Sequence, residues 1–144
     1  MDNIKNLDLS EEEMSKISKE ARERKFRIKD EKFLYSEKIE DNISCFIKSY
    51  RFLINLSNGL LRTNKKISQK IKDYLKQFED IFFKCIEIEY DLSKDIEYGK
   101  ARVKRKANKI INKNYNLFQT LIDDVYPLGR IIKEYDPSDA VAQY

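Results

Sequence analysis

The sequence is constrained most by a run of apolar side chains at Ile67, Ile71, Tyr74, Phe78, Ile81, Cys85, Ile88 and Leu92. The steps alternate between four and three residues. This spacing lays one stripe along one side of an α-helix, the seam of a bundle or coiled coil. No charge interrupts the stripe, and Leu75, Phe82 and Ile86 widen it to the face of a bundle helix. The spacing predicts a helix over 65–92.

Other segments follow the same rule. Ile39, Ile43, Phe46, Tyr50 and Leu53 form a second stripe, widened on one side by Ile47 and Ile54. Ser57-Asn58-Gly59 is expected to end that helix, with Gly59 as a left-handed cap. An earlier helix over 11–28 starts at Leu9-Ser10-Glu11-Glu12-Glu13-Met14. Ser10 and Glu13 have capping-box spacing, Leu9 and Met14 can staple, and the three acids meet the positive end of the helix dipole. A break is expected within 29–36, because the first two stripes are out of phase. A last helix over 100–125 carries Val103, Ala107, Ile110, Ile111, Leu117, Phe118, Leu121, Ile122 and Val125. Ser93–Gly99 is read as a turn or strong kink before it, and Pro127 with Gly129 as its stop.

No segment alternates with period two for long enough to make a strand. The fold class expected is all-α: an elongated bundle of three to four helices with a heptad-spaced core and an extended C-terminal tail. The divisions are a flexible N-terminal arm over 1–9, the helical bundle over 10–126 and the tail over 127–144.

Composition excludes several functions. The chain has 144 residues and 0 His, which removes His-based triads, His metal sites and Glu-x-x-His di-iron bundles. With 3 Gly, scattered, there is no phosphate-cradling loop. No cofactor and no metal are expected. The longest uncharged run, Phe52–Leu61, is far shorter than the roughly 20 apolar residues of a spanning helix. The polar start Met1-Asp2-Asn3-Ile4-Lys5 does not read as a secretory signal. Cys45 and Cys85 sit among apolar neighbours and read as buried, reduced residues. A cytoplasmic or virion location, without membrane contact, is the expectation.

The sharpest candidate site is a charge block. Gly99–Ile122 contains no acid, and Arg102, Arg105, Lys106, Lys109 and Lys113 fall within about a 100° arc of a helix. Such a ridge suits successive phosphates or an acidic protein surface. The structural alternative is neutralisation within a hairpin. Phe78–Glu97 is rich in acids, among them Glu79, Asp80, Glu87, Glu89, Asp91, Asp95 and Glu97. The mixed charges of Arg22, Arg24, Lys25, Arg27 and Lys29 with their acidic neighbours read as a solvated helix face. Glu87, Glu89 and Asp91 lack the spacing of a calcium site. The adjacent pairs Glu79-Asp80 and Asp123-Asp124 read as solvated surface and not as a general acid/base pair.

Tyr98, Tyr115, Tyr126, Tyr135 and Tyr144 lie off the stripes or past the last helix, where tyrosine suits an interface. Ile131, Ile132, Tyr135, Val141 and Tyr144 make the C-terminal segment a candidate docking tail. The function expected is a non-enzymatic structural or adaptor subunit of a larger homo-oligomeric or hetero-assembly, docked through its termini. A phage head–tail connector or neck-type protein is one example. The alternative is a small nucleic-acid-binding accessory protein that uses the basic ridge.

Overall fold

The structure, a computed structural model, describes residues 7–23, 39–93 and 97–134, with side chains over 7–23, 43–91 and 101–129. The described residues are mostly helical, with no strand among them. The fold class is all-α.

Helix α1 (Glu11–Arg22) begins at the capping box that the sequence spells. Ser10 Oγ accepts from the Glu13 amide at 3.1 Å, and Glu13 Oε1 accepts from the Ser10 amide at 3.0 Å. Two amides that the first turn leaves without partners are thereby bonded. Leu9 and Met14 are both partly buried against the core. The stretch 24–28 of the expected first helix, and the break expected within 29–36, lie outside the described residues.

Helix α2 (Ile39–Leu60) is the centre of the molecule. It packs on helices α3 (Lys65–Leu75), α4 (Glu79–Ser93), α5 (Glu97–Lys113) and α6 (Tyr115–Glu134). Ile43, Phe46, Tyr50 and Leu53 are buried, as their stripe requires. Cys45, Ser49, Phe52 and Leu56 are buried too, on the flank that the stripe left to solvent. Buried positions therefore span about 220° of the helix. Gly59 does not cap α2: the helix runs through it to Leu60, which is 0% exposed. The corner that follows is closed by the Asn64 amide on the Leu60 carbonyl at 2.7 Å. Asn64 Oδ1 in turn caps α3 by accepting from the Ile67 amide at 3.2 Å.

The helix expected over 65–92 is divided. A 3₁₀ turn, Lys76–Phe78, separates α3 from α4. Three residues of 3₁₀ geometry advance the helical phase by roughly 60° more than α geometry does. The turn re-aims α4 without leaving the right-handed helical region. Gln77 Nε2 donates to the Tyr74 carbonyl at 3.2 Å, beside the change in ladder. The seam survives the break: Ile67, Ile71, Tyr74, Phe78, Ile81, Cys85 and Ile88 are all buried.

The last expected helix is also two. Asn114 separates α5 from α6, and its Nδ2 donates to the Ile110 carbonyl at 3.0 Å. Such competition for backbone carbonyls is what makes Asn a poor interior residue. At the other end Pro127 and Gly129 do not stop the helix. α6 continues to Glu134 with Pro127 exposed. Proline forgoes one intrahelical bond. Leu128, at 1% exposed, and the buried Gly129 hold the following turn on the core. Gly99 is likewise inside a helix, in the first turn of α5.

The ends of the chain need correcting as well. The extended course expected over 127–144 is overturned for 127–134, which is helical; 135–144 lies outside the described residues. Of the arm expected over 1–9, residues 7–9 are not free. The Leu7 amide donates to Asp124 Oδ2 at 3.0 Å, and Leu7 and Leu9 pack partly buried against the core. A chain ended after Tyr126 therefore loses core, not a tail. It is expected to melt roughly 5–10 °C lower, the effect of exposing about one leucine's worth of core. Calorimetry of the truncated and full chains checks this.

Candidate interaction surface

Helix α5 presents the charge block outward. Val103, Ala107, Ile110 and Ile111 turn toward the core, which leaves Arg102, Arg105, Lys106, Lys109 and Lys113 exposed. Described ion pairs lie elsewhere: Lys70–Glu13 at 2.9 Å, Lys76–Asp73 at 3.4 Å and Lys16–Glu12 at 3.5 Å. Among the described residues, none of the five ridge cations comes within 4.0 Å of a carboxylate. α4 and α5 do pack together, as the hairpin alternative requires. That packing leaves those five cations without a direct acidic partner among the described residues.

The solvent face of α4 has a different character. Phe83 is 60% exposed and Tyr90 52%. They are seven residues apart on the side opposite the seam. Glu79, Asp80 and Glu87 on that side are exposed, and Asp91 is half-buried. The sequence reading passed over Phe83 and Tyr90, although the seam phase alone puts both outside the core. Of the off-stripe tyrosines, Tyr115 and Tyr126 are exposed; the side chains of Tyr98, Tyr135 and Tyr144 lie outside the described residues. Ile131 and Ile132 belong to the last turn of α6 with side chains outside the described set. Val141 lies outside it altogether.

Several polar groups that read as surface or packing are structural joints. Asp124 is not a solvated acid: its Oδ2 accepts from Tyr74 Oη at 2.6 Å as well as from the Leu7 amide. Burial first, then the bond to and the charge of Asp124, push the Tyr74 phenol far above its ordinary range. Ser57 and Ser68 form a buried reciprocal pair. Ser57 Oγ donates to the Ser68 carbonyl at 2.9 Å, and Ser68 Oγ to the Ser57 carbonyl at 2.7 Å. The second bond satisfies one of the last carbonyls of α2, which lack helical partners. Glu13 serves two partners, because Lys70 on α3 donates to the same oxygen that closes the capping box. The Ser10 amide first, and Lys70 next, hold its carboxyl below the usual range.

The described residues offer little for catalysis. Cys45 and Cys85 are buried and are not joined in a disulfide. Burial, with a smaller contribution from Glu89, pushes the Cys85 thiol from 9.0 up to about 12, far from a reactive thiolate. An open cleft of about 160 Å³ lies between α2 and the α3–α4 bend, walled by Tyr50, Ile54 and Leu75. Its rim carries Lys72, Lys76 and Glu79, and no second carboxylate to pair with Glu79. Among the described residues no three His, Cys, Asp or Glu side chains come together as a metal-binding group. None of the described helices is long and apolar enough to cross a membrane.

Compared with known proteins, the chain matches no family model, no curated sequence and no solved structure. The reading of the surface rests on its own chemistry.

Two measurements check these joints. Asp124→Ala leaves Tyr74 Oη and the Leu7 amide without their acceptor and is expected to cost about 2–3 kcal/mol in urea unfolding. A cycle with Tyr74→Phe should show strong coupling. The pH dependence follows from the signs of the shifts. Cys85 and Tyr74 are raised in the folded state, so the Cys85 contribution is complete below pH 9.0 and lost as pH rises toward 12, while that of Tyr74 is complete below 10.0 and declines above it. Glu13 is lowered, so its contribution is present above its ordinary 4.5 and lost below it. Melting temperature should thus fall off on both sides of a plateau between those limits, and Cys85 should not react with a thiol reagent in the native protein at pH 8.

Proposed function

We propose that this chain is a non-enzymatic structural or adaptor subunit of a larger oligomeric assembly. It is a heptad-seamed helical bundle that offers its neighbours charged and aromatic helix faces. One observation carries the reading: the exposed faces of α4 and α5 hold Phe83, Tyr90 and the five ridge cations, none of which the bundle uses in its own core. Large exposed aromatics on one helix, with exposed arginines on its neighbour, are the composition of an interface anchor. The inert thiol of Cys85 and the carboxylates spent on structural bonds support a role without chemistry. A phage head–tail connector or neck-type protein is one example of such a subunit.

Of the termini proposed for docking, Leu7 is tied to Asp124 and 127–134 belongs to α6, while 1–6 and 135–144 lie outside the described residues. The lateral helix faces are proposed for docking beside them.

The lack of a described carboxylate on the five ridge cations favours one second reading, a small nucleic-acid-binding accessory protein. Sedimentation velocity with and without a random 20-bp duplex decides between the two. The adaptor reading expects no binding of the duplex at physiological salt. Tight binding that weakens steeply with salt, and is lost in Arg105→Glu/Lys109→Glu, would replace it with the second reading.

A further inference from the structure

The exposed faces of α4 and α5 belong to neighbouring helices. Both helices pack on α2 and on each other, so both turn their buried stripes toward the same core and their solvent faces away from it. On α4, Glu79, Asp80, Phe83, Glu87, Tyr90 and Asp91 fall within about 120° of arc, with no cation among them. On α5 the five ridge cations fall within about 100°, with no acid among them. The charged stretches have nearly equal length: Glu79 to Asp91 rises about 18 Å, and Arg102 to Lys113 about 17 Å.

We infer that the partner of these faces is a second copy of the chain, with α4 of each protomer lying along α5 of the other. This rests on the reading as an assembly subunit and names the neighbour. A two-fold axis between α4 and α5 makes both contacts at once, and such isologous contacts close on themselves. The pairing sets four acids against five cations twice over. It also covers Phe83 and Tyr90 with arginine and lysine, an arrangement that cation–π attraction favours. The ridge cations, which have no described acidic partner within their own protomer, acquire one from the next.

A nucleic-acid partner fits these faces less well. A phosphate backbone laid on α5 would approach the acid face of α4, and the repulsion would offset part of the attraction to the ridge. The second copy turns the same acids into partners. Two helix faces of this length make a small interface, so the association belongs at the weak, salt-sensitive end of the scale.

The test is a charge swap followed by sedimentation velocity from about 1 to 500 µM at low and physiological salt. Arg105→Glu/Lys109→Glu leaves the ridge with three cations and two acids, and Asp80→Lys/Glu87→Lys leaves the α4 face with two acids and two cations. All four positions are exposed, and circular dichroism confirms that each variant is folded. The wild type is expected to dimerise. Each double variant alone should dissociate more than about tenfold more readily, given two reversed pairs in each of two contacts. An equimolar mixture of the two double variants should dimerise again, and so should the chain carrying all four changes. A wild type that stays monomeric throughout overturns the inference. So does an oligomer that neither double variant weakens, or a mixture that fails to restore it. An oligomer indifferent to the swaps still leaves the adaptor reading standing. A monomer that binds the 20-bp duplex through Arg105 and Lys109 removes both.

Discussion

Phe46 holds the molecule together. Its ring stacks on Phe118 of α6 at 4.4 Å between centroids and meets the edge of Phe78, in the 3₁₀ turn, at 6.2 Å. One turn along α2, Tyr50 stacks on Phe82 of α4 at 3.9 Å. Aromatic pairs of this kind contribute beyond the area they bury. They hold the 3₁₀ turn, α4 and α6 on α2, and the packing of α3 and α5 completes its enclosure. Every later feature depends on that enclosure, including which faces of α4 and α5 are left to water.

The same enclosure explains where sequence periodicity was legible and where it was not. A seam with one buried side reads cleanly, so Ile67 to Ile88 was visible at once. A helix buried over most of its circumference has no clean stripe, and the flank made by Cys45, Ser49, Phe52 and Leu56 did not stand out. The uncharged run Phe52–Leu61 was the available signal of that deeper burial. The breaks were illegible for another reason. A 3₁₀ turn of three residues preserves the order of seam positions and only shifts their phase, so Lys76–Phe78 leaves no mark in the pattern. Pro127 and Gly129 gave the opposite error. Their local preference against helix was real, and the burial of Leu128 overrode it.

The candidate surface was half legible. A block of cations without acids can be counted, and the structure puts all five ridge residues at the surface. The acids of α4 are legible in the sequence as hairpin partners of that block, but Phe83 and Tyr90 among them are not, because they lie opposite the seam and belong to no stripe. Polar joints were the least visible. Nothing local distinguishes Asp124 from Asp123, and only the return of residue 7 to α6 turns one of them into a structural acceptor.

That return has a consequence for how the protein is made. The bond from Leu7 to Asp124 spans 117 residues. During synthesis the N-terminal segment emerges first and has no acceptor until α6 has left the ribosome. Helix α1 can meet Lys70 of α3 earlier, but its packing on α6 waits with that bond. The local hairpin of α2 and α3 can form while the chain is still growing, but the outer strap closes last. Until it does, the apolar side of α1, with Ile17, lacks its α6 neighbour, which leaves the nascent chain exposed to proteases and to other nascent copies until α6 has emerged.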